Sequence, residues 1–108
     1  MAIRPDEVFE GVSVGLGCRS YGDIIGLNEK HTLALVSYAV EPSATEYLHG
    51  KRDDANLKPT VNWAACGSVS PAEARRFALA ILQAAEAAEA LLPKVIAARD
   101  AHAAAKAE

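Results

Sequence analysis

The chain has 108 residues, the usual size of one domain that can bury its own core, and it is too short for two such domains. Hydrophobic residues make up 51% and charged residues 23%, a globular balance that excludes the class of disordered chains with low hydrophobicity. The formal net charge of −3 leaves no excess of positive charge for a phosphate backbone, so general nucleic-acid binding is disfavoured.

The first predicted strand runs from Glu7 to Leu16, where larger apolar residues alternate with small or polar ones. Asp23 to Leu27 and His31 to Val40 are apolar runs on either side of the polar segment Asn28-Glu29-Lys30, a pattern that predicts a β-hairpin. The second run is interpreted as a strand because it is rich in β-branched and aromatic residues, although Leu33-Ala34-Leu35 also suits a helix.

The composition turns polar from Glu41 to Lys58, and Thr45 to His49 is predicted as a short strand within this segment. Gly50 to Asn56 is predicted to be a mobile loop, and its Asp53-Asp54 pair is interpreted as solvated rather than catalytic. Thr60 to Cys66 alternates again and is predicted as the last strand, with Trp63 at the centre of the core.

A long helix is predicted from Ser70-Pro71-Ala72-Glu73 onwards. Serine suits the cap, proline tolerates the first helical position, and glutamate three residues after the serine completes a capping box. Pro93 interrupts the helical pattern without shifting its register, so a kink is expected there rather than a break. After Arg99 the tail has little to bury and is expected to fray unless a partner covers it.

One stripe of this helix is apolar at spacings of three and four residues, and it has two interpretations. It packs on the sheet of its own chain, or its excess apolar surface pairs with a second copy. The second interpretation makes it an interaction helix formed by Phe77, Ile81, Ala84, Ala88, Leu91 and Val95. Together these patterns predict one α+β domain over residues 1–108: a β-rich part (1–66) with a mostly antiparallel sheet of three to five strands, followed by one long, kinked helix (70–107).

The start of the helix is also a candidate site for an anion, because helix N-termini present free N–H groups and a positive dipole end. The candidate ligand-binding residues are Gly67, Ser68, Ser70, Arg75 and Arg76. The competing interpretation is that Ser70 and Glu73 use these N–H groups themselves, as an ordinary cap.

No other pattern indicates chemistry. Gly15-Leu16-Gly17 lacks the third glycine of a dinucleotide-binding loop, and no two of His31, His49, Cys18 and Cys66 have the spacing of a structural zinc site. Serine, histidine and aspartate occur outside any recognisable catalytic signature. We therefore expect no enzyme activity, no cofactor and no metal.

The expected compartment is the cytoplasm. No apolar run approaches the roughly 18 residues that span a bilayer, and the opening residues Met1 to Glu7 lack the apolar stretch of a signal peptide. Cys18 and Cys66 stand alone, as is typical of reduced thiols buried as small apolar residues, so no disulfide is expected.

The segment from Val61-Asn62-Trp63 through Gly67-Ser68-Val69-Ser70-Pro71-Ala72-Glu73-Ala74-Arg75-Arg76-Phe77 resembles a pattern in small uncharacterised proteins of actinobacteria and their phages. It covers about a sixth of the chain and is a junction between a strand and a helix. The resemblance implies an origin in an alanine-favouring genome and a phage accessory gene, and it implies no activity.

These observations predict a non-enzymatic interaction protein that forms a homodimer or a higher homo-oligomer, with a host or other protein as a further possible partner. The surfaces expected to make contact are the free face of the sheet, the helix and the loop Gly50 to Asn56. The alternative is a binder of a small anionic or nucleotide ligand at the helix start, and nucleic-acid binding comes third.

Overall fold

A computed structural model describes residues 8–9, 12–29 and 32–107, and for residues 8, 9, 21–29 and 32–34 it describes the backbone alone. The strands are β1 (Val8–Phe9), β2 (Val12–Ser13), β3 (Ser20–Glu29), β4 (Thr32–Glu41) and β5 (Lys58–Cys66). The helices are α1 (Ala44–His49) and α2 (Pro71–Ala107), and a single 3-10 turn spans Asp54–Asn56. The α+β class is confirmed.

The strands form a three-stranded antiparallel sheet in the order β3-β4-β5 and a separate two-stranded ribbon of β1 and β2. The sheet is therefore smaller than predicted. β3 and β4 form the predicted hairpin, with Glu29 opposite Thr32, and residues 31–40 belong to a strand wherever they are described. Lys30 and His31, at the predicted hairpin loop, lie outside the described residues.

The prediction of one continuous strand from Glu7 to Leu16 was wrong. β1 and β2 pair antiparallel, with Val8 opposite Ser13, so the chain reverses direction between them. A period-two pattern is the same on both sides of such a reversal, and it does not show where the chain turns. Glu7, Glu10 and Gly11 lie outside the described residues.

The prediction of a strand at Thr45 to His49 was also wrong, because this segment forms α1. Ser43 caps it: the Ser43 side-chain oxygen accepts a hydrogen bond of 3.1 Å from the Glu46 N–H. Gly50 ends the helix in the left-handed conformation, with φ of 64°, and donates its N–H to the Glu46 carbonyl. The capping pattern Ser43-Ala44-Thr45-Glu46 was present in the sequence and predicts this helix.

α2 runs without interruption from Pro71 to Ala107, with Pro93 inside it. The predicted start is confirmed, since the Ser70 side-chain oxygen accepts a hydrogen bond of 3.2 Å from the Glu73 N–H. The tail beyond Arg99 is helical to Ala107, and its last residues are exposed. The molecule is elongated as a result, with principal extents of 55 × 23 × 21 Å.

The core lies between α2 and one face of the sheet, with β4 at its centre. Val36 and Val40 of β4 are 1% exposed, and Ala84 and Val95 of α2 are equally enclosed. Val36 packs with Ala80 and Ala84, and Val40 packs with Leu57 and Val95. Alanine at the contact positions lets the helix backbone lie close to the sheet.

Trp63 is 67% exposed, so the prediction that it is the centre of the core was wrong. It lies opposite Val36 in the outermost strand, β5. A helix is about 10 Å wide and strands are about 4.8 Å apart, so one helix over β4 leaves the outer part of an edge strand uncovered.

Candidate functional site

The most enclosed charged groups in the described residues are Glu46 in α1 and Arg99 in α2, which are 0% and 3% exposed. The two terminal nitrogens of the guanidinium, Nη1 and Nη2, donate to the carboxylate, and the Arg99 Nη1 to Glu46 Oε2 distance is 3.0 Å. Arg99 follows Val95 by one helical turn, which places it on the buried face of α2. The pair therefore attaches the short helix to the long one.

The same carboxylate also holds two loops. The Gly17 N–H donates to Glu46 Oε1 at 2.9 Å, and the Asp53 N–H donates to Glu46 Oε2 at 3.2 Å. Gly17 has φ of 78°, a conformation that glycine adopts without a steric cost. One buried side chain of α1 thus connects to Gly17, 29 positions earlier, to Asp53, seven positions later, and to Arg99, 53 positions later.

A second layer of charge surrounds this pair. Asp54 accepts hydrogen bonds from Nε and Nη2 of Arg52, with Nη2 to Oδ2 at 2.7 Å, and a further bond of 3.2 Å from Arg99 Nη1. Arg52 also pairs with Asp100 at the next position of α2. These five residues form the ion-pair cluster, which consists of Glu46, Arg52, Asp54, Arg99 and Asp100.

The Asp53-Asp54 pair within Gly50 to Asn56 therefore differs from the solvated pair that was predicted, because Asp54 belongs to the ion-pair cluster. Asp54 begins the 3-10 turn, and its side chain is only 26% exposed. Sequence reasoning missed the cluster because its partners are far apart: Glu46 and Arg99 are separated by 53 positions. The available signal was an arginine inside the apolar stripe of a helix, since a buried guanidinium needs an acidic partner.

The hydrogen bonds from Arg52 hold the pKa of the Asp54 carboxyl below its usual range, and Arg99 acts in the same direction. A lowered pKa in the folded chain stabilises the fold above the usual aspartate pKa of about 3.9, and this stabilisation is lost as the pH falls through the folded pKa. Asp54→Asn should therefore be less stable than the wild type at pH 7.

The difference between these two proteins should shrink as the pH falls below about 4, because Asp54 of the unfolded wild type takes up a proton there while the folded carboxyl, with its lowered pKa, is still charged. Urea unfolding of both proteins between pH 7 and pH 2 measures this difference in the free energy of unfolding. A difference independent of pH would show that the Asp54 charge does not contribute. Asp53→Asn is the matched control, because the Asp53 carboxylate accepts hydrogen bonds from the Asn56 amide, whereas that of Asp54 accepts from two arginines.

The predicted anion site at the start of α2 is occupied by the helix's own cap. Gly67, Ser68 and Ser70 are exposed, and the Ser70 hydroxyl accepts from the Glu73 N–H. Arg76 donates to the Glu73 carboxylate at 2.9 Å, while Arg75 is exposed. This arrangement is that of an ordinary capped helix, in which Glu73 supplies the capped N–H and an ion pair with Arg76.

The predicted interaction helix faces the chain's own sheet. Ala84, Ala88 and Val95 are buried, and Phe77, Ile81 and Leu91 pack against the same core as partly buried residues. Three of these six side chains are therefore fully covered within the chain and the other three partly covered. The exposed leucines of α2 are Leu79 and Leu82, at 54% and 64%.

The sheet has its own exposed apolar surface around β5. A shallow cavity of about 210 Å³ is lined by Leu35, Ser37, Asn62, Trp63 and Ala64. Leu35 is 36% exposed, and Ala64, Ala65 and Cys66 are exposed as well. We call the side of β5 that faces away from β4, from Lys58 to Cys66, the β5 edge.

A second hollow, of about 420 Å³, lies beside α1 and is lined by Gly17, Arg19, Glu41, Pro42, Ser43, Ala44 and Tyr47. Its two charged side chains pair with each other, with Arg19 Nε to Glu41 Oε1 at 3.0 Å. This pairing leaves the hollow electrically balanced.

Neither cysteine is joined in a disulfide; Cys18 is half-buried, whereas Cys66 is exposed and not buried as predicted. Within the described ranges no group of three or more His, Cys, Asp or Glu side chains could hold a metal ion. None of the helices described is at once long enough and apolar enough to cross a membrane. No protein-family model, no curated protein and no solved structure matches the chain.

Proposed function

We propose that this chain is a non-enzymatic interaction protein that associates with copies of itself. The observation that carries the proposal is the extent of its surface. The folded chain exposes 7032 Å², whereas a compact monomer of 11.4 kDa exposes about 5,800 Å². The excess of about 1,200 Å² exceeds the roughly 800 Å² that each partner buries in a standard interface.

The shape of the chain supports the same proposal. Its radius of gyration is 16.4 Å, compared with about 13 Å for a compact domain of this length. An elongated chain with a 37-residue helix has a high ratio of surface to core, and a second copy lowers that ratio by covering apolar side chains.

The chemical nature of the exposed residues also favours an interaction surface. Trp63, Leu79 and Leu82 each expose more than half of their surface. Tryptophan is among the side chains that contribute most to binding energy at protein interfaces, and large exposed apolar side chains mark such interfaces when they cluster.

The ion-pair cluster supports a structural role for the charged residues that meet in the fold. Both oxygens of Glu46 accept hydrogen bonds from Arg99 and from backbone N–H groups. A carboxylate bound in this way holds segments together, whereas a general base needs a free lone pair directed at a substrate.

The solution mass tests the proposal. Light scattering after size exclusion, over a range of chain concentrations, should give at least twice the 11.4 kDa of one chain. The mass should fall towards that of a single chain on dilution if the affinity between copies is moderate. A mass of one chain at millimolar concentration would contradict the proposal.

A further inference from the structure

We infer that a second copy of this chain pairs antiparallel along the β5 edge, so that the two three-stranded sheets become one continuous six-stranded sheet. This inference rests on the proposed self-association and names its surface. β5 is hydrogen-bonded to β4 on one side, and no strand of the described chain lies on its other side. The unpaired N–H and C=O groups of such a strand are a template for another strand.

From Thr60 to Cys66 the β5 edge lacks the features that protect free edges from pairing. Proteins usually place charged residues, bulges or covering segments along such strands. β5 has nine residues in a continuous register with β4, and its only charge is Lys58 at one end. Pro59 lies beside it, and the remaining residues up to Cys66 are uncharged. The protection is confined to the first two positions.

The position of Lys58 favours a second copy in the antiparallel direction. In the register that pairs all nine residues, each Lys58 lies opposite Cys66 of the other copy, and the two lysines are at opposite ends of the joined strands. Parallel pairing would set Lys58 against Lys58, and like charges directly opposite each other are destabilising. A two-fold axis between antiparallel strands also closes the assembly as a dimer.

Proline indicates which groups face the open side. Within a sheet, proline occupies edge strands with its nitrogen directed away from the neighbouring strand. Since backbone groups alternate along a strand, the N–H and C=O groups of Val61, Trp63 and Ala65 then point outwards with Pro59. In the antiparallel register Val61 exchanges these bonds with Trp63 of the other copy, and the exposed indole packs across the new strand pair.

Asn62 lies on the two-fold axis of this register. Its side-chain nitrogen is enclosed and has no hydrogen-bond partner within the described chain. A buried amide nitrogen without an acceptor destabilises the fold, so it calls for a partner. In a non-hydrogen-bonded antiparallel pair, the side chains of the two opposite residues lie close together. Two Asn62 side chains that turn towards each other there can each donate an amide N–H to the carbonyl oxygen of the other.

Cysteine cross-linking tests the inference. In a parent with Cys18→Ser and Cys66→Ser, Asn62→Cys should form an intermolecular disulfide under mild oxidation. The expected Cα to Cα distance of about 4.5 Å in such a pair lies inside the roughly 4.4–6.8 Å range of disulfides. Lys58→Cys in the same parent is the control, because its two copies are at opposite ends of the pair and should remain monomeric on denaturing gels.

The fluorescence of the chain's single tryptophan is a second measurement that needs no substitution. Association along the β5 edge should shift the Trp63 emission to the blue and reduce its quenching by acrylamide as the concentration rises. The light-scattering mass is recorded on the same samples.

The outcomes separate the two proposals. A doubled mass with the Asn62→Cys disulfide and the tryptophan shift supports pairing along the β5 edge. A doubled mass without either signal overturns the edge while self-association stands. A mass of one chain at every concentration overturns both.

Discussion

Glu46→Ala is expected to lower the free energy of unfolding by about 3–5 kcal/mol, the usual cost of removing one partner from a buried ion pair. The substitution leaves the Arg99 guanidinium at 3% exposure without its main counter-charge. It also leaves the N–H groups of Gly17 and Asp53 without the carboxylate that accepts from them. Urea unfolding followed by circular dichroism measures the loss.

Two control proteins make this result specific. Arg76→Ala removes an ion pair with Glu73 in which the arginine side chain is 63% exposed, and such exposed pairs contribute at most about 1 kcal/mol. The double variant Glu46→Leu with Arg99→Met replaces both buried charges and should recover much of the loss. A cost for Glu46→Ala no larger than that for Arg76→Ala would contradict the enclosed pair.

Ala84→Leu is the second substitution with a large expected effect, a destabilisation of about 1–3 kcal/mol through overpacking. Ala84 is 1% exposed and packs with Ala80 against Val36. Three further heavy atoms have no space there unless α2 moves away from the sheet. Thermal unfolding of the variant beside the wild type measures the effect.

Ala90→Leu is the matched control, because it makes the same change in the same helix at an exposed position. Alanine and leucine differ little in helix propensity, so its stability should stay within about 0.5 kcal/mol of the wild type. Equal effects at the two positions would show that α2 does not lie close to β4.

The elements that were predicted correctly depend on interactions within a few residues. The start of α2 is set by Ser70 and by the Glu73 N–H to which its side chain bonds. The hairpin of β3 and β4 follows from two apolar runs separated by a short polar segment, and β5 follows from alternation. Each pattern is local, so the sequence displays it directly.

The burial of particular side chains could not be predicted in the same way. Trp63 and Val61 have the same place in an alternating pattern, yet Val61 packs against the core and Trp63 is 67% exposed. Which strand lies at the edge, and how much of the sheet one helix covers, depends on the packing of the whole domain. The same holds for the apolar stripe of α2, where Leu82 is exposed and Arg99 is buried.

The sequence by itself determined the α+β class, the long helix and its cap, and the absence of excess positive charge, because composition, periodicity and capping are properties of neighbouring residues. Only the tertiary structure decided the ion-pair cluster and the open β5 edge. Glu46 meets Arg99 only when α1 packs beside α2, and β5 is an edge only because the described chain supplies no fourth strand. Both features arise from contacts between distant segments, whose geometry is set by the packed domain as a whole.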